Sequence, residues 1–260
     1  MENPYEIPLV AQRAPALSAR NCDGLVEKHR NRLLEKARAG CLDGISERRL
    51  TEEKELLKLT QSVISGKKNI LIMVDGVDCT GKSGSIRRFL PAFDHVEHGV
   101  HHFKAPEEPE DKDAWLAKYT SRVPTLAPGG QVILWDRSYL SGLAYDMYFG
   151  VINMEEGKER AQQITDFEAK LLDDGWFIFK YYLYADADRL AKTLAKREIL
   201  SPARLSICDY TSYRDREAII SNFNEYMLWT NRPVPWQFIT MSNRFEGRKK
   251  MLEHLKETLK

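Results

Sequence analysis

Cysteine is scarce and scattered. The four in 260 residues, Cys22, Cys41, Cys79 and Cys208, form no CxxC pair, which excludes a disulfide framework and a zinc signature. Net charge is nearly absent at +1, so bulk electrostatics selects neither nucleic acid nor an anionic membrane as partner, although a local basic patch would be hidden in that average. No apolar run reaches bilayer length, and the opening M-E-N-P-Y-E-I-P has no cationic segment followed by an apolar one. A reducing cytoplasm is the expectation. There is no Gly/Ser/Pro linker and no internal repeat. The expected organisation is therefore an N-terminal arm and helix over 1–45, then one domain over 46–260, long enough to bury a sizeable core.

What is present is an alternation. N-I-L-I-M-V-D (69–75) is a continuous apolar run rich in β-branched residues, the pattern of a strand buried on both faces of a parallel sheet. Q-V-I-L-W-D (131–136), W-F-I-F-K-Y-Y-L-Y (176–184) and W-Q-F-I-T-M (236–241) repeat it, and V-H-H-F (100–103) does so weakly. Helix-like segments fall between them, at about 82–90, 110–122, 139–149, 154–172, 187–198, 210–229 and 244–259. Two more precede the first strand, near 23–39 and 46–65. Strands alternating with helices predict an α/β fold, a parallel sheet flanked by helices.

Chemistry concentrates after the first strand. Gly76-x-x-x-x-Gly81-Lys82-Ser83 is a phosphate loop between a buried strand and a helix start. Its glycines let the backbone of Gly76, Val77, Asp78, Cys79, Thr80, Gly81 and Gly84 curl, so that N–H groups face a phosphate beside the positive helix end. Lys82 is then placed to reach terminal phosphate oxygens, and Ser83 to offer its hydroxyl to Mg²⁺. Asp136 closes the third apolar run, and in an open α/β sheet the carboxyl ends of the strands line the ligand crevice. A carboxylate there can hold Mg²⁺ directly or through water. Arg137 follows it and can grip phosphate or pair with a carboxylate.

These residues resemble the polyphosphate kinase family 2. D-G-V-D-C-T-G-K-S-G-S-I-R-R-F is similar to that family's E-G-x-D-A-x-G-K-x-G-x-I-[KR]-R-F. F-K-A-P (103–106), W-D-R-S-Y (135–139), L-L-D-D-G (171–175) with Lys180, and P-V-P-W (233–236) follow in family order. The resemblance implies a P-loop kinase-like fold with a helical lid at about 186–216, assembled as a homo-oligomer. The implied activity is Mg²⁺-dependent phosphoryl transfer between inorganic polyphosphate and a nucleotide such as ADP, ATP, AMP or GDP. It further implies that Asp78 and Asp136 hold the metal with Ser83, that Lys82, Arg137 and Arg197 serve catalysis, and that Lys104 and Arg204 touch phosphate.

The chain also departs from the family. Leu140–Ala144 stands where Y-N-R-A-G is usual, and I-L-S-P-A-R-L-S shortens the basic lid D-P-x-K-x-W-K. Those departures leave two alternatives: an ATP-dependent nucleoside or nucleotide kinase of the same fold, and a nucleotide-binding module that has lost catalysis. The histidines at 95, 98, 101 and 102 are read as solvated or hydrogen-bonded, Cys79 as a small residue filling the loop, and the aromatic run at 176–184 as sheet core. The basic residues Arg87, Arg88, Lys192, Lys196, Arg197, Arg204, Arg214 and Arg216 are read as cover for transferring charge or as solvated helix faces.

Overall fold

The computed structural model describes residues 24–38, 54, 68–90, 93, 96–104 and 115–259. Five parallel strands form one sheet: β1 (Asn69–Asp75), β2 (Glu97–His102), β3 (Gln131–Asp136), β4 (Trp176–Tyr184) and β5 (Trp236–Thr240), in the spatial order β2-β3-β1-β4-β5. β1 lies between β3 and β4, with Val74 opposite both Asp136 and Tyr181. Its neighbour β3 is buried at every position. These central strands need apolar residues on both faces, hence their unbroken apolar sequence. β2 is an edge strand with half-exposed residues, so E-H-G-V-H-H carries only a weak strand signal. It begins at Glu97 rather than at Val100, because its register with β3 pairs Glu97 with Gln131.

The helices are α1 (Gly24–Arg38), α2 (Lys82–Phe89), the single turn α3 (Ala117–Thr120), α4 (Tyr139–Tyr148), α5 (Met154–Asp173), α6 (Ala187–Leu200), α7 (Ile207–Arg214), α8 (Arg216–Trp229) and α9 (Arg244–Thr258). Caps explain several starts. The Asn153 side chain accepts from the backbone N–H groups of Glu155 and Glu156, while Glu156 accepts from the Asn153 backbone, a reciprocal capping box. Asp186 caps α6 through Arg189 N–H, and Asn243 caps α9. The segment expected as one helix over 210–229 is two. A box of Ser206 and Asp209 starts α7 earlier, and Asp215 leaves helical geometry (φ −99°, ψ 18°). Its carboxylate there takes bonds from Tyr148 and Arg214.

α1 is held to the body through α6. Val26 is fully buried, His29 bonds to Asp188, and Arg30 grips Glu198 with two bonds at 2.8 and 3.0 Å. The expected N-terminal arm, the second helix near 46–65 (residue 54 apart) and the first five residues of the segment at 110–122 lie outside the described residues; of the helix expected over 110–122, the described part forms only the single turn α3. No described helix is long and apolar enough to cross a membrane.

Candidate active site

The loop after β1 is shaped by close backbone approach. Gly76 has φ +127°, and a Cβ there would stand 2.3 Å from the Leu183 carbonyl oxygen of β4, so only glycine fits. Cys79 and Arg137 adopt φ near +70° without being glycines. Such strain persists where surrounding contacts over-determine it and gathers at functional sites.

Lys82, on the first turn of α2, curls back over the loop. Its Nζ donates to Gly76 O at 2.6 Å and Val77 O at 2.9 Å, and lies 3.6 Å from Asp78. Burial lowers its pKa, with Asp78 opposing. Thr80 is buried and donates to Val77 O, whereas Ser83 and Gly84 border an open cleft. The Cys79 thiol sits 3.7 Å from Asp209. Burial pushes it up to about 12, the opposite of the activation that a helix end and Lys82 would give, with the Arg197 and Lys82 charges unable to offset the loss of solvent.

Asp78 is the electrostatic centre. One oxygen accepts from Arg137 at 2.5 Å, the other from Ser212 at 3.1 Å. Burial alone would raise its carboxyl, but Arg137 and Lys82 outweigh that and hold it well below the usual range. Asp78 in turn raises Arg137 further. Asp136 is buried beside them. Its Oδ2 stands 3.1 Å from His102 Nδ1, and its Oδ1 has no hydrogen-bond partner among the described residues. A lone buried carboxylate oxygen at a strand end suits a hard cation that completes its shell with water and phosphate.

Around these residues lies a cleft of about 520 Å³. Arg87, Arg88, Lys196, Arg197 and Arg244 border it, so the basic patch hidden in the average composition is here. Arg197 reaches it from α6 while paired with Asp209. Lys192 is solvated, and Arg214 pairs with Asp215, so these two behave as helix-face charges. Arg204 occupies a short 3-10 turn (Pro202–Arg204) whose described features do not include its side chain. Lys104 does not border the basic cleft. It rims a second cavity, an aromatic one in that Phe103, Tyr119, Tyr145 and Phe149 line it, which shares Asp78 and Arg137 with the first.

Sequence reasoning missed several participants. Asp75, fully buried at the end of β1, accepts from Ser138 and Ser141 and fixes the start of α4 against the loop. Arg244 donates to Cys79 O at 3.2 Å and Thr193 at 2.9 Å, clamping the loop from α9. Burial lowers this guanidinium to about 10. The position of Asp75 beside the glycine was a signal; nothing local marks Arg244 or Ser212, and His102, read as solvated or hydrogen-bonded, gave no hint that its partner is Asp136.

Comparison with known proteins gives the family. The family model described as polyphosphate kinase 2 matches residues 43–260. The chain belongs to that family. It is accordingly a phosphotransferase with the P-loop kinase-like architecture. Among polyphosphate kinase 2 relatives, the ADP-polyphosphate phosphotransferase of Pseudomonas aeruginosa is 26% identical over 206 residues, covering 78% of this chain and 67% of that protein. The GDP-polyphosphate phosphotransferase of Mycobacterium tuberculosis is 26% identical over 212 residues, 80% of this chain and 70% of that one. The crystal structure of polyphosphate kinase 2 from Arthrobacter aurescens TC1 superposes with a TM-score of 0.68 at 22% identity, covering 81% of this chain and 76% of that chain. α1 precedes the matched region.

Proposed function

We propose that this protein moves a phosphoryl group between inorganic polyphosphate and a nucleoside mono- or diphosphate. The observation that carries the reading is the meeting of two unlike cavities at one ion pair, Asp78–Arg137. A basic cleft suits a polyanionic chain bound through many phosphates. An aromatic cavity suits the flat ring of a nucleoside. Where they join, terminal phosphates of both substrates face one another.

Phosphoryl transfer passes through a loose transition state, so positioning and charge stabilisation dominate. The Lys82 ammonium exchanges its two loop carbonyls for phosphate oxygens, and the loop N–H groups orient the transferring group. Arg137, fixed by Asp78, and Arg197, fixed by Asp209, neutralise charge on its oxygens. Mg²⁺ fits Asp136 and the Ser83 hydroxyl, with Asp78 as a further carboxylate. When bound, the ion supplies positive charge at the phosphates and screens the carboxylates from them. A homo-oligomer in the cytoplasm is part of the same reading.

The test is turnover of purified protein with Mg²⁺, a nucleotide panel, and either polyphosphate or ATP as donor. Polyphosphate-dependent product supports the reading. Product from ATP alone makes the protein a nucleotide kinase, and binding without turnover makes it a lapsed module.

A further inference from the structure

The aromatic cavity follows one face of α4. Ser138, Ser141, Tyr145 and Phe149 border it at helical spacing, running from the Asp78–Arg137 pair outward. On the same stripe lies Asp146, only 2% exposed. Its Oδ2 accepts from Arg160 at 2.5 Å, and Arg160 is itself stacked 4.7 Å above Trp115. The other oxygen, Oδ1, is buried with no partner among the described residues. A buried carboxylate oxygen without a hydrogen bond is costly, so on a residue that lines a cavity it marks a place for a donor.

Distance selects the donor. From Ser138, the N-cap beside Arg137, to Asp146 is eight residues of helix, about 12 Å along the axis at 1.5 Å each. A phosphate held at Arg137 leaves its own ribose hydroxyls short of that depth, while the base beyond the ribose reaches it. We infer that Asp146 reads the base of the acceptor nucleotide, its Oδ1 accepting from an N–H donor on a purine ring edge flanked by Tyr145 and Phe149. This rests on the reading of the cavity as the nucleotide site and adds the residue that makes it selective. Arg160 acts as a positioning residue by fixing the other oxygen.

The experiment is equilibrium binding to the full chain, without polyphosphate, of ADP, GDP and purine riboside 5′-diphosphate, which has the ring but no N–H donor on its edge. The better binder of ADP and GDP should exceed the donor-free analogue by at least about tenfold, the range of one hydrogen bond to a charged group. In Asp146→Asn the Arg160 guanidinium keeps the carbonyl oxygen, which turns an N–H toward the ligand. The preference should then fall to near unity. Equal binding of all three by the wild-type protein overturns the inference, as does a preference unchanged in a folded Asp146→Asn variant. So does a comparable loss with 2′,3′-dideoxy-ADP, which would move the contact to the sugar. Should the variant fail to fold, the wild-type comparison decides alone. Because no donor substrate is present, a protein with this preference but no polyphosphate turnover would sink the proposed reaction and leave the base contact standing.

Discussion

Lys82 and Asp146 are two buried charges with different consequences. Lys82 donates to two backbone carbonyls and lies beside the Asp78 carboxylate. A Lys82→Met variant, similar in length and free of the desolvation cost, should keep the wild-type melting temperature. Its kcat should drop about 10²–10³-fold, roughly 3–4 kcal/mol for one such electrostatic contact. Near-normal turnover would remove the lysine from the mechanism. For Asp146, burial pushes the carboxyl up to about 6, with Arg160 offsetting only part of the cost. The folded state thus holds this proton more tightly than the unfolded chain, whose value is about 3.9. The stabilising contribution is complete below the unfolded value and disappears as pH rises through about 6. In urea titrations, wild-type stability relative to Asp146→Asn should fall by on the order of 3 kcal/mol between about pH 3 and pH 7. A difference independent of pH would mean that Arg160 neutralises the cost of the charge in full.

At the scale of elements, one buried ion pair ties strand to helix. Lys180, the single charge in the apolar run of β4, donates to both oxygens of Glu168 on α5 at 2.8 and 3.0 Å and to Thr230 O at the end of α8. Tyr139, the first residue of α4, donates to the same carboxylate. Both charged side chains are fully inaccessible to solvent. Three helices and a central strand therefore meet at a neutral pair, and one of those helices presents Ser138 and Arg137 to the site. Lys180→Met alone leaves Glu168 buried without its countercharge and should cost about 3–5 kcal/mol in denaturant unfolding. Adding Glu168→Leu should recover most of that loss. A single variant as stable as the double would show that water reaches the pair. The lysine was visible in the sequence as a charge out of place. Its partner was not, because helix α5 comes against β4 only through packing.

For the whole molecule, the decisive feature is segregation of charge. A chain of net charge +1 gathers basic side chains from α2, α6 and α9 around a single cleft. Binding of a polyphosphate there should release counterions, and nucleic-acid complexes gain roughly 0.7–0.9 in log–log salt slope per neutralised phosphate. KM for polyphosphate should thus rise more steeply with KCl than KM for the nucleotide, which offers few charges. Arg197→Ala should flatten the polyphosphate slope and leave the nucleotide slope unchanged. Parallel slopes for the two substrates in steady-state assays would argue against a polyphosphate chain in the basic cleft.

The sequence by itself determined what is local. Unbroken apolar runs specified β1, β3 and β4, because central parallel strands are buried on both faces. Glycine spacing specified the loop, because only glycine tolerates the contact of Gly76 with Leu183 O. Asp136 was legible from its place at a strand end. Tertiary structure decided which of these residues meet. Arg137 finds Asp78 across 59 residues, His102 stands on Asp136, and Ser212 arrives from α7 to bond Asp78. It also broke the helix at Asp215 and put Lys104 on the aromatic cavity instead of the basic one. The meetings of Arg137 with Asp78 and of His102 with Asp136 follow from the order β2-β3-β1-β4-β5, which sets β1 beside β3 and β3 beside β2. Strand order depends on how sheet and helices bury one another as a whole, and a local pattern of residues carries only the propensity of its own segment.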